Sequence, residues 1–167
     1  MKIRSNHLPI RAMLLALVGI GAVGVDLTAI AYAHEGHDHA AFSAGEPGDP
    51  KKPARIIKVR MLEGSGKMSF QPAQIEVRRG EQIRFVVQND GDEDHEFILA
   101  TIAENRKHAE LMKKYPEMEH DDPNAKRVLP YANKELIWKF TKRGDFEFAC
   151  LIPGHSEKGM FGKVVVK

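Results

Sequence analysis

From Arg55 to the C-terminus the chain is cut into short apolar runs by turn residues, and only one stretch among them is long enough for a helix. A short run with a period of two cannot hide its apolar side alone, so it must pair into a sheet and stack against a second layer. Ile83, Phe85 and Val87 alternate with Arg84, Val86 and Gln88, the pattern of a strand with one face on a core. Ile56, Ile57, Val59 and Met61 open the series, Met68 to Gln71 leads through Pro72 into Ile75 and Val77, and Arg79-Gly80-Glu81 reads as a turn. Asn89-Asp90-Gly91-Asp92 closes the next strand and His95 to Leu99 resumes one. Val128 to Leu129, Glu135 to Phe140, Phe146 to Cys150 and Lys163 to Val166 complete the set, with Gly144-Asp145 as a turn. Ile102 to Tyr115 has the charge content and spacing of a helix that stops before Pro116, followed by a loop to Pro123. The expectation is an all-β domain over residues 55–167, a Greek-key β-sandwich with a short helical insertion.

Residues 1–33 read differently. Lys2, Arg4 and Arg11 precede an apolar run from Ala12 to Val25, and Ala31-Tyr32-Ala33 offers the small residues of a cleavage site. Asp26 interrupts the run before it reaches the ~20 residues of a spanning helix. A signal peptide is expected, with export to the periplasm and no stable membrane insertion after cleavage. Residues 34–54 begin His34-Glu35-Gly36-His37-Asp38-His39 and continue rich in Ala, Gly, Pro and charge, which reads as a flexible tail and linker. Cleavage after Ala33 removes Lys2, Arg4, Arg11 and Asp26 and leaves 22 basic and 22 acidic residues. A chain without a basic excess is a poor partner for nucleic acid.

Cys150 is the only cysteine, so an internal disulfide is impossible. In an oxidising compartment a bare thiol is a liability, and a metal that holds it as thiolate is a better explanation than usual. Cys150, His155 and Met160 lie within eleven residues, spaced Cys-x4-His-x4-Met. Thiolate, imidazole and thioether together select copper, whereas zinc favours more thiolates or a carboxylate. The Pro153-Gly154 turn lets His155 return towards Cys150, and a second turn at Gly159 brings Met160 underneath. A further ligand must come from elsewhere, and His95 stands after a turn-rich loop at the start of another strand.

The segment Cys150-Leu151-Ile152-Pro153-Gly154-His155, ending in Met160 and followed by Gly162 to Val166, resembles the copper loop of the cupredoxins, the family of plastocyanin, azurin and pseudoazurin. Upstream, Phe70-Gln71-Pro72, Ile75-Glu76-Val77, Gly80-Glu81, Ile83-Arg84-Phe85 and Asn89 are similar to the opening strands of that family, so the likeness runs from about Arg55 to Lys167. It implies one copper ion, with His95, Cys150 and His155 as equatorial ligands and Met160 as axial ligand. Glu96 departs from the Asn or Ser that often follows the upstream histidine in the family. Its carboxylate either faces away from the metal or alters the surroundings of the thiolate.

Two further clusters leave alternatives open. His34, His37 and His39 with a new α-amino group would form a weak copper site, or only a solvated tail. His108, Met112, Met118 and His120 would bind Cu(I), or His108 and Met112 are ordinary helix packing.

The leading expectation is single-electron transfer by a monomer with transient redox partners, docking where Leu151, Ile152, Pro153 and Phe161 form an apolar patch around His155. The alternative is periplasmic copper sequestration or tolerance through the same site plus the His/Met-rich segments, and the likeness extends to exported cupredoxins associated with copper tolerance. An enzyme is not expected. Copper nitrite reductases and multicopper oxidases need more domains and open copper positions, and a dinuclear oxidase site needs a second cysteine.

Overall fold

The computed structural model describes residues 42–116 and 122–167. The leader of residues 1–33, the histidines His34, His37 and His39, and Met118 and His120 lie outside the described residues. Among the described residues, ten strands and one helix follow in chain order: β1 (Glu46–Pro47), β2 (Arg55–Gly64), β3 (Lys67–Gln71), β4 (Gln74–Val77), β5 (Gln82–Asn89), β6 (His95–Ala100), α1 (Ile102–Lys114), β7 (Ala125–Val128), β8 (Asn133–Lys139), β9 (Gly144–Ala149) and β10 (Phe161–Val166). They form two five-stranded sheets, ordered β1-β8-β5-β2-β3 and β4-β10-β9-β6-β7. The chain repeatedly crosses between the layers, so β2 pairs with β5 and β4 with β10 in parallel while the remaining pairs are antiparallel. This is the all-β sandwich that the strand pattern predicts, with one helix inserted after β6.

Alternation places the core. In β5, Ile83, Phe85, Val87 and Asn89 are buried while the residues between them are more exposed. Phe97 of β6 stacks on Phe148 of β9 at 5.2 Å between ring centroids, and Phe70 meets both edge-on. Such aromatic pairs add about 0.5–1.5 kcal/mol each beyond the area they bury.

Helix α1 starts on a reciprocal cap. The Glu104 N–H donates to Thr101 Oγ1 at 3.2 Å and the Thr101 N–H donates to Glu104 Oε2 at 3.0 Å. Its buried Met112 packs with Ile98, Ala125, Ala149 and Leu151 in a second core between helix and sheet.

Three boundaries differ from the sequence reading. The stretch expected as a flexible linker up to residue 54 lies on the sandwich from Phe42 onward. Phe42 packs edge-on against Trp138 at 5.3 Å, and the Trp138 indole N–H donates to the Ala44 carbonyl at 3.2 Å. A buried indole without an acceptor costs about 1–3 kcal/mol, so this segment completes the core. Gln82 then clasps Asp49, accepting from its N–H at 2.8 Å and donating to its carbonyl at 3.0 Å. Gly144-Asp145, expected as a turn, opens β9 in register with Val165 and Val166. The strand expected at Val128 begins earlier, at Ala125.

Candidate metal centre

Two loops at one end of the sandwich build the centre. In β9, Phe146 and Phe148 face the core, and the same alternation turns Cys150 inward, where it is fully buried. The segment beyond it folds on its own backbone. The His155 N–H donates to the Ile152 carbonyl at 3.0 Å, the Lys158 N–H to His155 at 3.1 Å and the Gly159 N–H to Ser156 at 3.0 Å. Met160 closes the loop twice over: its N–H donates to the His155 carbonyl and its carbonyl accepts from the Cys150 N–H, each at 3.1 Å. Gly154 at φ +91° and Gly159 at φ +101° occupy left-handed backbone that other residues adopt only at a cost.

The second loop joins β5 to His95, the first residue of β6. Buried Asn89 organises it: Oδ1 accepts from the Gly91 N–H at 2.9 Å, and Nδ2 donates to the carbonyls of Glu93 at 2.8 Å and Val128 at 3.0 Å. The three aspartates accept from neighbours, Asp90 from Arg60, Asp92 from the Tyr131 hydroxyl and Asp94 from Arg127. Two glutamates remain, and each meets a histidine. Glu63 Oε1 lies 2.9 Å from His95 Nε2, and Glu93 Oε2 lies 3.2 Å from His155 Nε2.

With both Nε2 atoms on carboxylates, both Nδ1 atoms turn to the space between the loops. The two Nδ1 atoms are 3.2 Å apart, and Cys150 Sγ is 3.3 Å from His155 Nδ1. The three donor atoms of His95, Cys150 and His155 lie within 4.8 Å of one another, the one such group among the described residues. The Glu96 N–H also donates to Cys150 Sγ, at 3.3 Å.

The electrostatics fit a metal rather than a resting acid–base site. Burial pushes the Cys150 thiol up to about 12, against the pull of the Glu96 and Ile152 backbone N–H groups. Burial likewise pushes both imidazoles below their ordinary value, with the His95 ring adding to the effect on His155. Glu63 moves up on burial, but backbone N–H groups of Glu93 and Asp92 and the His95 ring outweigh that and leave it lowered. Two imidazoles held neutral and one buried sulfur make a nitrogen–sulfur donor set suited to copper.

Of the residues singled out from the sequence, the structure brings His95, Cys150 and His155 together and ties Met160, fully buried, to the last two by backbone bonds. Glu96 is buried on β6, and its backbone is what touches the thiol. Met112 belongs to the packing between helix and sheet, while His108 lines a shallow cavity with Ser43, Glu104 and Asn105. The expected apolar patch is smaller than the sequence suggests. Leu151 turns inward against Met112, and His155 itself is only 5 % exposed, leaving Ile152, Pro153 and Phe161 at the surface. Sequence reasoning missed Glu63 and Glu93. The acidic run from Asp90 to Asp94, beside a histidine, is the trace of Glu93, and Glu63 leaves none near the motif.

Comparison with known proteins agrees with this geometry. Among solved structures, auracyanin A from Chloroflexus aurantiacus superposes with a TM-score of 0.57 at 18 % identity, covering 69 % of this chain and 100 % of that one. Auracyanin B gives 0.58 at 19 %, covering 77 % and 99 %, which establishes the shared fold. A relative from Rubrivivax gelatinosus, described as copper-resistant cuproprotein CopI, is 49 % identical over 82 % of this chain and 88 % of its own. The protein of the same description from Pseudomonas aeruginosa is 34 % identical over 87 % and 92 %. The sequence profile described as copper binding proteins, plastocyanin/azurin family, matches residues 57–167, and the chain belongs to that family of copper-binding proteins.

Proposed function

We propose that this chain is exported and holds one copper ion through His95, Cys150, His155 and Met160, chiefly to protect the cell against copper. The observation that carries the binding site is the convergence of two Nδ1 atoms and one Sγ in a buried space. A bound copper ion supplies a centre that can change charge by one electron. The chain's own part is to exclude water, to keep both imidazoles neutral and to give up the Cys150 proton.

Tolerance takes precedence over electron carriage for two reasons. Two relatives that match 82 % and 87 % of this chain carry copper resistance in their description. The His155 ring, through which a carrier would meet its partner, is only 5 % exposed and has the Glu93 carboxylate on its outer nitrogen, unlike the open apolar face expected of a carrier. Electron transfer remains the second reading, favoured by the closed backbone network of the Cys150–Met160 loop, which leaves little to rearrange when the ion changes charge. A binding role rather than an enzymatic one, a monomeric state and transient partners belong to the same proposal. The leader of residues 1–33 supports export to the periplasm.

Copper titration followed by optical and EPR spectra tests the site: one equivalent should bring an intense thiolate-to-copper band. A strain lacking the protein should grow poorly at raised copper and recover with the natural chain but not with Cys150→Ser. Full recovery with Cys150→Ser would remove the core site from the tolerance role.

A further inference from the structure

Both imidazoles of the centre carry a carboxylate on the nitrogen that faces away from it, and the surroundings of Glu63 are arranged to keep it there. Its Oε1 accepts from the Glu93 N–H at 3.0 Å while meeting His95 Nε2 at 2.9 Å, in a side chain only 20 % exposed. A Cβ on Gly91 would overlap the Glu63 carboxylate, so the glycine in this loop is what allows it to reach the histidine. Asn89 fixes the loop from the other side, through Gly91 and Glu93. The aspartates of the same run are hydrogen-bonded elsewhere, which leaves Glu63 as the carboxylate in hydrogen-bond contact with fully buried His95.

A carboxylate beside an imidazole nitrogen accepts its proton in a hydrogen bond. That selects one tautomer, fixes the ring plane and makes the opposite nitrogen a stronger donor. Stronger donors favour the more highly charged copper ion over Cu(I). Building on the copper reading above, we propose that Glu63 is a positioning residue. It holds His95 as the Nε2–H tautomer with Nδ1 towards the metal, and biases the centre towards Cu(II). Glu93 does the same for His155, more weakly, since it is half exposed and its contact is longer. This division gives the pair unequal roles. Glu63 tunes the ion, and Glu93 shields the edge of His155 while adding negative charge to it.

The tests use the full mature chain with and without copper. In the metal-free protein, at a pH above the histidine range, long-range 1H–15N correlation spectra should show His95 as the Nε2–H tautomer. Finding the Nδ1–H tautomer would overturn the proposal without reference to copper. In the loaded protein, Glu63→Gln keeps an oxygen acceptor and removes the charge. It should weaken Cu(II) binding about tenfold relative to Cu(I), equivalent to a rise of about 59 mV in potential. Melting of the metal-free variant should shift little, so a stability loss alone would not produce this result. Glu93→Gln, half exposed, keeps an oxygen for the His155 ring and should shift the ratio in the same direction by a smaller factor. Glu63→Leu, without any acceptor, should lose the tautomer preference and shift the ratio further than Glu63→Gln. Unchanged Cu(II)/Cu(I) ratios in both glutamine variants, with a normal thiolate band, would overturn the role of the carboxylates and leave the copper site standing. A natural chain that shows no such band would instead overturn the copper reading itself, and this proposal with it.

Discussion

The two loops that meet at the centre are held in different ways. The Cys150–Met160 loop is a set of consecutive backbone hydrogen bonds with two left-handed glycines, and almost nothing outside it is needed for its shape. The loop from Asn89 to His95 has few such bonds. It is shaped by side chains, Asn89 from within and Glu63, Arg60 and Arg127 from other strands. A loop built from its own backbone tolerates loss of a side chain and fails at its glycines. One built from side chains fails when a single buried partner is removed. The copper-binding end therefore combines a self-supporting clip with a loop that depends on distant residues.

The largest effect expected is on the clip's chemistry rather than its shape. Cys150→Ser should abolish the thiolate-to-copper band completely, because the transition needs sulfur bonded to Cu(II). The metal-free variant should keep the native amide-exchange protection of residues 155–160, since their bonds are backbone bonds. Survival of the band would show that another group binds the metal, and loss of protection would show that the clip needs its cysteine to fold.

Asn89→Ala is the matching break in the other loop. It removes the partner of the buried Gly91 N–H and Val128 carbonyl and of the part-buried Glu93 carbonyl, and each buried group left so costs about 1–3 kcal/mol. Chemical unfolding of the metal-free protein should show a loss of about 3 kcal/mol, with weaker copper binding through misplaced His95. Water reaching the loop would soften the cost. A loss below about 0.5 kcal/mol, the range of ordinary surface changes, would mean that Asn89 does not organise it.

The same contrast decides what the sequence discloses. Cys150, His155 and Met160 are close in the chain, so ligand chemistry and turn spacing alone are enough to single them out. His95 is found by its place after a turn and by family likeness. Glu63 acts across 32 residues, at the end of a strand where it looks like any surface carboxylate, and only the folded register of β2 beside β5 brings it to His95. The sandwich itself is legible because alternation in β5 and β9 is local. The coverage of Trp138 by Phe42 and Ala44 is not, since a Gly- and Pro-rich stretch reads as linker until a buried indole is seen to need an acceptor. Leu151 misleads for a similar reason: beside Cys150 it looks like docking surface, but α1 covers it.

Proton release separates the contributions of the two loops. The Cys150 thiol is raised to about 12 and so carries its proton throughout the neutral range, whereas both imidazoles are pushed below their ordinary value and are already neutral there. Copper held as proposed displaces the thiol proton and no histidine proton. Calorimetry in two buffers of different ionisation enthalpy should find one proton released per ion between about pH 7 and 9, with apparent affinity rising about tenfold, or ~1.4 kcal/mol, per pH unit. Release of two or three protons would mean the histidines start out charged, and release of none would remove Cys150 from the ligands.

The smallest effect expected falls on the clip's backbone. Gly154 has φ +91°, and a Cβ placed on it meets nothing within 4 Å. Substitution by alanine therefore meets no steric obstacle, and its whole cost is the left-handed conformation, about 1 kcal/mol. Gly159, at φ +101°, differs in one respect: its Cβ would press on the Met68 carbonyl at 3.2 Å, where the neighbouring Lys158 carbonyl accepts from the Met68 N–H. Gly159→Ala should cost more than Gly154→Ala by the work of moving that strand. If the clip is self-supporting, Gly154→Ala should lower stability by about 1 kcal/mol and leave the copper spectrum and the Cu(II)/Cu(I) ratio unchanged. The strain is then absorbed at the exposed turn between Pro153 and His155, without displacing the backbone bonds that hold Met160 to Cys150 and His155. A Gly154→Ala variant with altered colour or potential would show that ligand positions follow the strain at this turn. The clip would then be as dependent on single residues as the Asn89–His95 loop, and the distinction between the two would fall.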